Sequence, residues 1–175
     1  MRAIDAACGL MLVVMAATSA GAAEQLPARK PGLWEVKMTV ANRGGQAVQQ
    51  CVDAATDQML QSLAGPFDLA ACPRHEVQRS GDQTIIDSTC TVAGKTAITH
   101  SVISGSFDSA YSMTVTARSD ALSGKTMNMT LEGKWLGACM AGQKGGDVIM
   151  PGGIKVNIRD LKKLGLRPPG VPLPN

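Results

Sequence analysis

The sequence predicts an all-β protein: an antiparallel meander forming a closed or nearly closed barrel, with one short helix and two disulfides. Three observations carry this expectation. Apolar and polar residues alternate with a period of two along most of the chain, as in strands with one dry and one wet face. Turn clusters rich in Gly, Asp, Asn and Ser recur at the ~8–12-residue spacing of sandwiches and barrels. Of the five cysteines, Cys8 falls in an N-terminal leader. Cys51, Cys72, Cys90 and Cys139 remain, an even set.

The first strand spans residues 33–40. Trp34, Val36, Met38 and Val40 lie on one side, and Glu35, Lys37 and Thr39 on the other. A turn at Asn42-Arg43-Gly44-Gly45 leads to a second strand over 46–52. Asp53 then caps a short helix with Asp57 in its first turn, a stripe of Met59, Leu60 and Leu63, and a stop at Gly65-Pro66. Five strands follow, over 74–79, 83–92, 96–104, 110–118 and 126–136. The fourth of these puts Tyr111, Met113, Val115 and Ala117 on one face. The fifth puts Met127, Met129, Leu131 and Trp135 inward. A hairpin-like unit surrounds Pro151-Gly152-Gly153. Beyond it, residues 159–175 read as a short basic helical turn and a proline-rich tail.

Residues 1–23 read as a cleaved signal peptide. Arg2 is followed by an uncharged stretch and then by small residues that fit cleavage after Ala23, with Ala22 as an alternative. The remaining stretches are too short or too polar to span a membrane as a helix. Residues 24–158 then form a single disulfide-stapled β domain, periplasmic or secreted, because disulfides persist in oxidising compartments. The cysteine spacings of 21, 18 and 49 residues do not match the close pairs of zinc sites. Four cysteines leave several connectivities open. A hairpin centred on Gly81 sets Cys72 opposite Cys90 and His75 opposite Asp87. This register favours Cys72–Cys90 and leaves Cys51 with Cys139.

The order of motifs resembles a known family. Lys30-Pro31-Gly32-Leu33-Trp34-Glu35 follows the leader. A cysteine then opens a helix, two cysteines flank a hairpin, and Gly133-Lys134-Trp135-Leu136-Gly137-Ala138-Cys139 closes the set. This resembles the bacterial exported family termed domain of unknown function 3617, over roughly residues 30–140. The resemblance implies a small exported bacterial protein. It implies no catalytic residue and no ligand.

The composition narrows function by exclusion. A net charge of +3 with 3% aromatic residues supplies neither the basic footprint nor the stacking platforms of a nucleic-acid binder. Gly94-Lys95-Thr96 and Gly124-Lys125-Thr126 lack the upstream glycine of a phosphate loop and read as hairpin turns. No nucleophile–base constellation, cofactor motif or metal-ligand cluster is found. His75 beside Asp87 reads as a surface hydrogen bond, and His100, alternating with Ile98 and Val102, as a core residue. The expectation is a non-catalytic exported envelope protein binding a small apolar ligand inside a barrel. Trp34, Met38, Met113, Met127, Met129 and Trp135 are the candidate lining. The alternative is a structural or protein-interaction module with a solid core, whose partner is another envelope protein. A weaker one is Cu(I) binding through Met127-Asn128-Met129. Whether the interior is hollow separates the first two.

Overall fold

The computed structural model describes residues 26–41, 43–64, 72–92, 94–120 and 124–163. The expected signal peptide, the expected helix stop at Gly65-Pro66 and the tail beyond Lys163 lie outside the described residues.

Nine strands and two helices are present among them. These are β1 (Gly32–Val40), β2 (Arg43–Val52), α1 (Asp57–Ala64), β3 (Arg74–Ser80), β4 (Gln83–Val92), β5 (Lys95–Ser106), β6 (Ala110–Ser119), β7 (Thr126–Gly137), β8 (Asp147–Ile149), β9 (Lys155–Asn157) and α2 (Ile158–Lys163). All strands belong to one sheet in the order β3-β4-β5-β6-β7-β1-β2-β8-β9. Every neighbouring pair is antiparallel. The seven strands expected from alternation all form.

The sheet does not close. Among the described residues β3 and β9 are its edges and no ladder joins them, so the sheet is open where a closed or nearly closed barrel was expected. Closure needs two edges of matching length. The last hairpin offers strands of three residues each, too few backbone groups to zip against seven-residue β3. The edge of β3 is itself blunted by exposed Arg74, Glu76 and Arg79, a common defence of open edges.

One face is dry nonetheless. Trp34, Val36, Val52, Leu60, Ile86, Ile103, Tyr111, Leu131, Val148 and Ile158 form a single buried cluster. It includes strands from β4 to β8, and α1 is packed onto it through fully buried Leu60. Hairpin turns are set by glycines in the left-handed region, as at Gly94 (φ 73°) and Gly124 (φ 71°), so each Gly-Lys-Thr triplet leaves a hairpin turn at its glycine and leads into a strand.

Both expected disulfides form, Cys51–Cys139 and Cys72–Cys90. The register behind the second differs by one residue. Ser80 pairs with Gln83 and His75 with Ser88, because the loop is two residues long with positive φ at Gly81, as in primed turns. Cys72 precedes the strand and is separated from it by Pro73, so it reaches Cys90 without obeying the ladder. Asp87 therefore does not oppose His75. It pairs across β4 and β5 with His100, whose Nδ1 lies 2.7 Å from Asp87 Oδ1 on the exposed face. His100 is not a core residue. Its exposed neighbour Ile98 shares that face, while Ala97, Thr99 and Ile103 point inward.

Two carboxylates hold local structure, Asp53 at the entry to α1 and Asp147 in the β8–β9 unit. Asp53 Oδ1 accepts the Thr56 hydroxyl at 2.6 Å and its N–H at 2.8 Å. These bonds, chiefly that from the hydroxyl, hold the carboxyl below its ordinary pKa of 3.8 against the opposing effect of burial. Burial also pushes Asp147 up. Hydrogen bonds from Asn157 and the Lys144 N–H, with the Lys155 and Lys144 charges, outweigh it and leave Asp147 below 3.8. A carboxyl with a lowered folded pKa stabilises in full above the unfolded value, and the stabilisation is lost as pH falls through the folded one. The urea midpoint is expected to fall on acidification between about pH 5 and pH 2. Asp147→Asn should make that fall shallower, measured by equilibrium unfolding at each pH. An unchanged slope would remove Asp147 from the acid response.

Candidate functional site

The inner face of the sheet is covered on one side by α1 and by the extended segment preceding β1, residues 26–31. This segment is tied at several points. Lys30 donates its N–H to Phe107 O in the β5–β6 turn at 2.8 Å. The Trp34 indole donates to Lys30 O at 2.8 Å. Exposed Lys30 stacks its ammonium 3.7 Å from the Trp135 ring centroid.

Between these ties lies a buried ion pair. Arg29 Nε is 2.7 Å from Asp57 Oδ1, with side chains 1% and 4% exposed. Asp57 Oδ2 also accepts the Arg29 N–H and the Gln61 amide, both at 2.7 Å. Arg29 Nη1 donates to Gln50 Oε1 at 2.9 Å. The guanidinium carbon sits 5.8 Å from the Trp34 ring centroid. Arg29 Nη2 is buried and makes no hydrogen bond among the described residues. A buried donor of this kind costs ~1–3 kcal/mol.

Tyr111 links the ion pair to an apolar cavity. Its ring stacks on Phe107 with centroids 4.7 Å apart and meets Trp34 at 5.7 Å. It lies across Gly133 on β7, where any Cβ would collide with the phenol ring. Burial raises the Tyr111 pKa, while the adjacent Arg29 opposes that rise. The cavity is lined by Leu26, Gln61, Ile103, Phe107, Tyr111, Met113 and Leu131. It measures about 260 Å³ with its open mouth. Its enclosed part has room for little more than one water.

The six residues expected to line a ligand space are all on the inner face or its margin, but they do not converge. Met113 alone lines this cavity. Trp34 is fully buried beside it, and Met129 is buried deeper in the core. Met38 pairs with Leu131 and Met127 with Ala117, both half-buried. Trp135 sits at the margin, donating to Pro31 O at 3.2 Å. Arg29, Asp57 and Gln61 escaped the sequence reading. Asp57 was legible only as a charge in the first turn of a helix, and Arg29 lies in a segment without periodicity.

On the outer face one row crosses four strands: Asp87, His100, Thr116 and Asn128. Thr116 Oγ1 donates to Asn128 Oδ1 at 3.2 Å. Asp87 and His100 are each about half exposed, so the row is a solvated polar ladder without a cleft. No group of three or more His, Cys, Asp or Glu is placed to hold a metal among the described residues. No helix among them is long and apolar enough to cross a membrane.

These features define a small all-β protein stapled by two disulfides, with its one buried ion pair among the described residues between α1 and residues 26–31, which form a strap over the inner face. The chain belongs to the family described as a protein of unknown function (DUF3617), whose model matches residues 29–139. The matched span opens on Arg29 and closes on Cys139. No curated protein and no solved structure matches.

Proposed function

We propose that this is a non-catalytic exported envelope protein, periplasmic or secreted, that holds a small apolar molecule at the cavity between the strap, α1 and strands β5–β7. The observation that carries the reading is the cavity itself: an apolar pocket with one open side and a polar wall, the usual form of a small-molecule site. Two disulfides accord with an oxidising compartment. The interior is a half-covered sheet face, so the ligand sits against the sheet and beneath Phe107 and Leu26. A chain longer than the cavity requires Phe107 to swing outward.

Native mass spectrometry of gently purified protein tests this. A bound mass of a few hundred daltons, released on unfolding, is expected. Met113→Glu on the lining should abolish it, and Glu132→Lys on the wet face should not. Equal effects of the two would count against the pocket. A second reading, an interaction module with a solid core, is favoured by the small enclosed volume of the cavity. A bare, oxidised protein in that experiment would transfer the weight to it.

A further inference from the structure

The two Gly-Lys-Thr triplets share one end of the sheet. Alternate turns of an antiparallel meander fall on the same side, so the β4–β5 and β6–β7 turns are neighbours. Lys95 opens β5 and Lys125 precedes β7. Only β6 lies between these strands, which sets the two turns about 10 Å apart. Arg118, near the end of β6, pairs with Thr126 and with Ile98, so a third cation stands on the same rim. Lys95, Arg118 and Lys125 are exposed. None of the three has an ion-pair partner among the described residues. Exposed Asp120, in the β6–β7 turn, offsets one of the charges. By contrast, Lys37 and Lys134 stand opposite Glu132 and Glu35 across the β1–β7 ladder. Arg29, Arg74, Lys155, Arg159 and Lys163 are in ion pairs. The turns at the far end carry exposed Asp82 and Asp108, with Lys30 and Arg79 nearby, so that end is mixed in sign.

An apolar group accompanies these cations. Ile98 is 56% exposed and lies directly opposite Arg118 on the outer face. We propose that this rim docks the protein reversibly on an anionic phospholipid bilayer, with Lys95, Arg118 and Lys125 at the phosphates and Ile98 entering the interface. Peripheral attachment of this kind combines buried apolar area with attraction to anionic lipid. Each Lys or Arg near an anionic surface contributes about a fivefold factor in partitioning, so three cations less one carboxylate give a weak, salt-sensitive contact. Ile98 selects a bilayer over a soluble polyanion, which would take the cations and leave the alkyl group in water. Phe107, on the cavity wall, lies in a turn at the opposite end of the strands. Docking therefore leaves the cavity clear, and the proposal stands apart from the ligand reading.

Flotation of the oxidised protein tests this, with vesicles of phosphatidylcholine alone or of phosphatidylcholine and phosphatidylglycerol in roughly equal parts. Binding to the mixed vesicles only is expected, weakening as salt rises from about 0.05 M to about 0.5 M. Lys95→Ser/Lys125→Ser should reduce partitioning by about 25-fold. Ile98→Ser should reduce it severalfold and leave the salt dependence in place. Lys37→Ser/Lys134→Ser removes the same charge from matched sites and should change it by less than about twofold. Circular dichroism checks that each variant folds. Binding to neither vesicle, or equally to both, overturns the proposal. Equal losses in the two double variants also overturn it, because net charge rather than this rim would then govern binding. Full binding by folded Ile98→Ser overturns the bilayer as the partner.

Discussion

Arg29→Met should lower the stability of the oxidised protein by about 3–5 kcal/mol, the usual result of stranding one half of a buried ion pair. Asp57 would keep its charge inside the protein with only Gln61 and the Arg29 backbone to satisfy it. The strap would lose its anchor to α1 at the same time. For a domain of this size the melting temperature is expected to drop by roughly 10 °C. The double variant Arg29→Met/Asp57→Leu should recover most of the loss, because the cost lies in the orphaned charge rather than in the absence of the pair. Urea unfolding of parent, single and double variants measures this. A single variant within about 1 kcal/mol of the parent would show that water reaches Asp57.

Removing the Cys51–Cys139 bridge, by replacing both residues with Ser, should cost more than removing Cys72–Cys90 in the same way. The first closes 88 residues and the second 18. In the chain-entropy account these correspond to ~4.5 and ~3 kcal/mol. The geometry points the same way. Cys51 lies on β2 and Cys139 just beyond β7, and both strands flank β1 at Leu33. The long bridge therefore clamps the place where the N-terminal hairpin joins the rest of the sheet. The short one tethers only the start of edge strand β3. Paired thermal melts decide the matter, and a larger drop for the Cys72/Cys90 pair would mean that the edge hairpin governs unfolding.

Much of the sheet was legible because alternation is a strong local signal. The strands from β3 to β7 fall within a residue or two of their expected limits. Three features were not legible, each for a physical reason. Loop length in Ser80-Gly81-Asp82 decided the β3–β4 register, and turn type depends on dihedrals that Gly leaves free. β5 inverts the usual pattern: small Ala97 and Thr99 are buried while Ile98 is exposed. Ser88 and Thr99 share a 2.5 Å hydrogen bond that satisfies their inward hydroxyls. Tertiary pairing overrode hydrophobicity there, and it moved His100 to the surface. The candidate site was hidden more deeply. Arg29 and Asp57 are 28 residues apart, and only tertiary structure makes a charge between two prolines into a core residue. Closure of the sheet depended on an edge-to-edge match that no single strand encodes.

The strand order has a consequence for how such a chain is assembled. β1 is central in the sheet, between β2 and β7, yet among the described strands it is the first to be made. Its hairpin with β2 forms between close neighbours in sequence, but its other side is completed by pairing Trp34 with Trp135. The run from β3 to β7 zips through adjacent hairpins and pays little loop-closure entropy, whereas the β1–β7 ladder must close most of the chain. For a polypeptide delivered N-terminus first, the strand that ends at the centre of the sheet is an unprotected edge until β7 arrives. That interval is the chain's greatest exposure to pairing with the wrong neighbour.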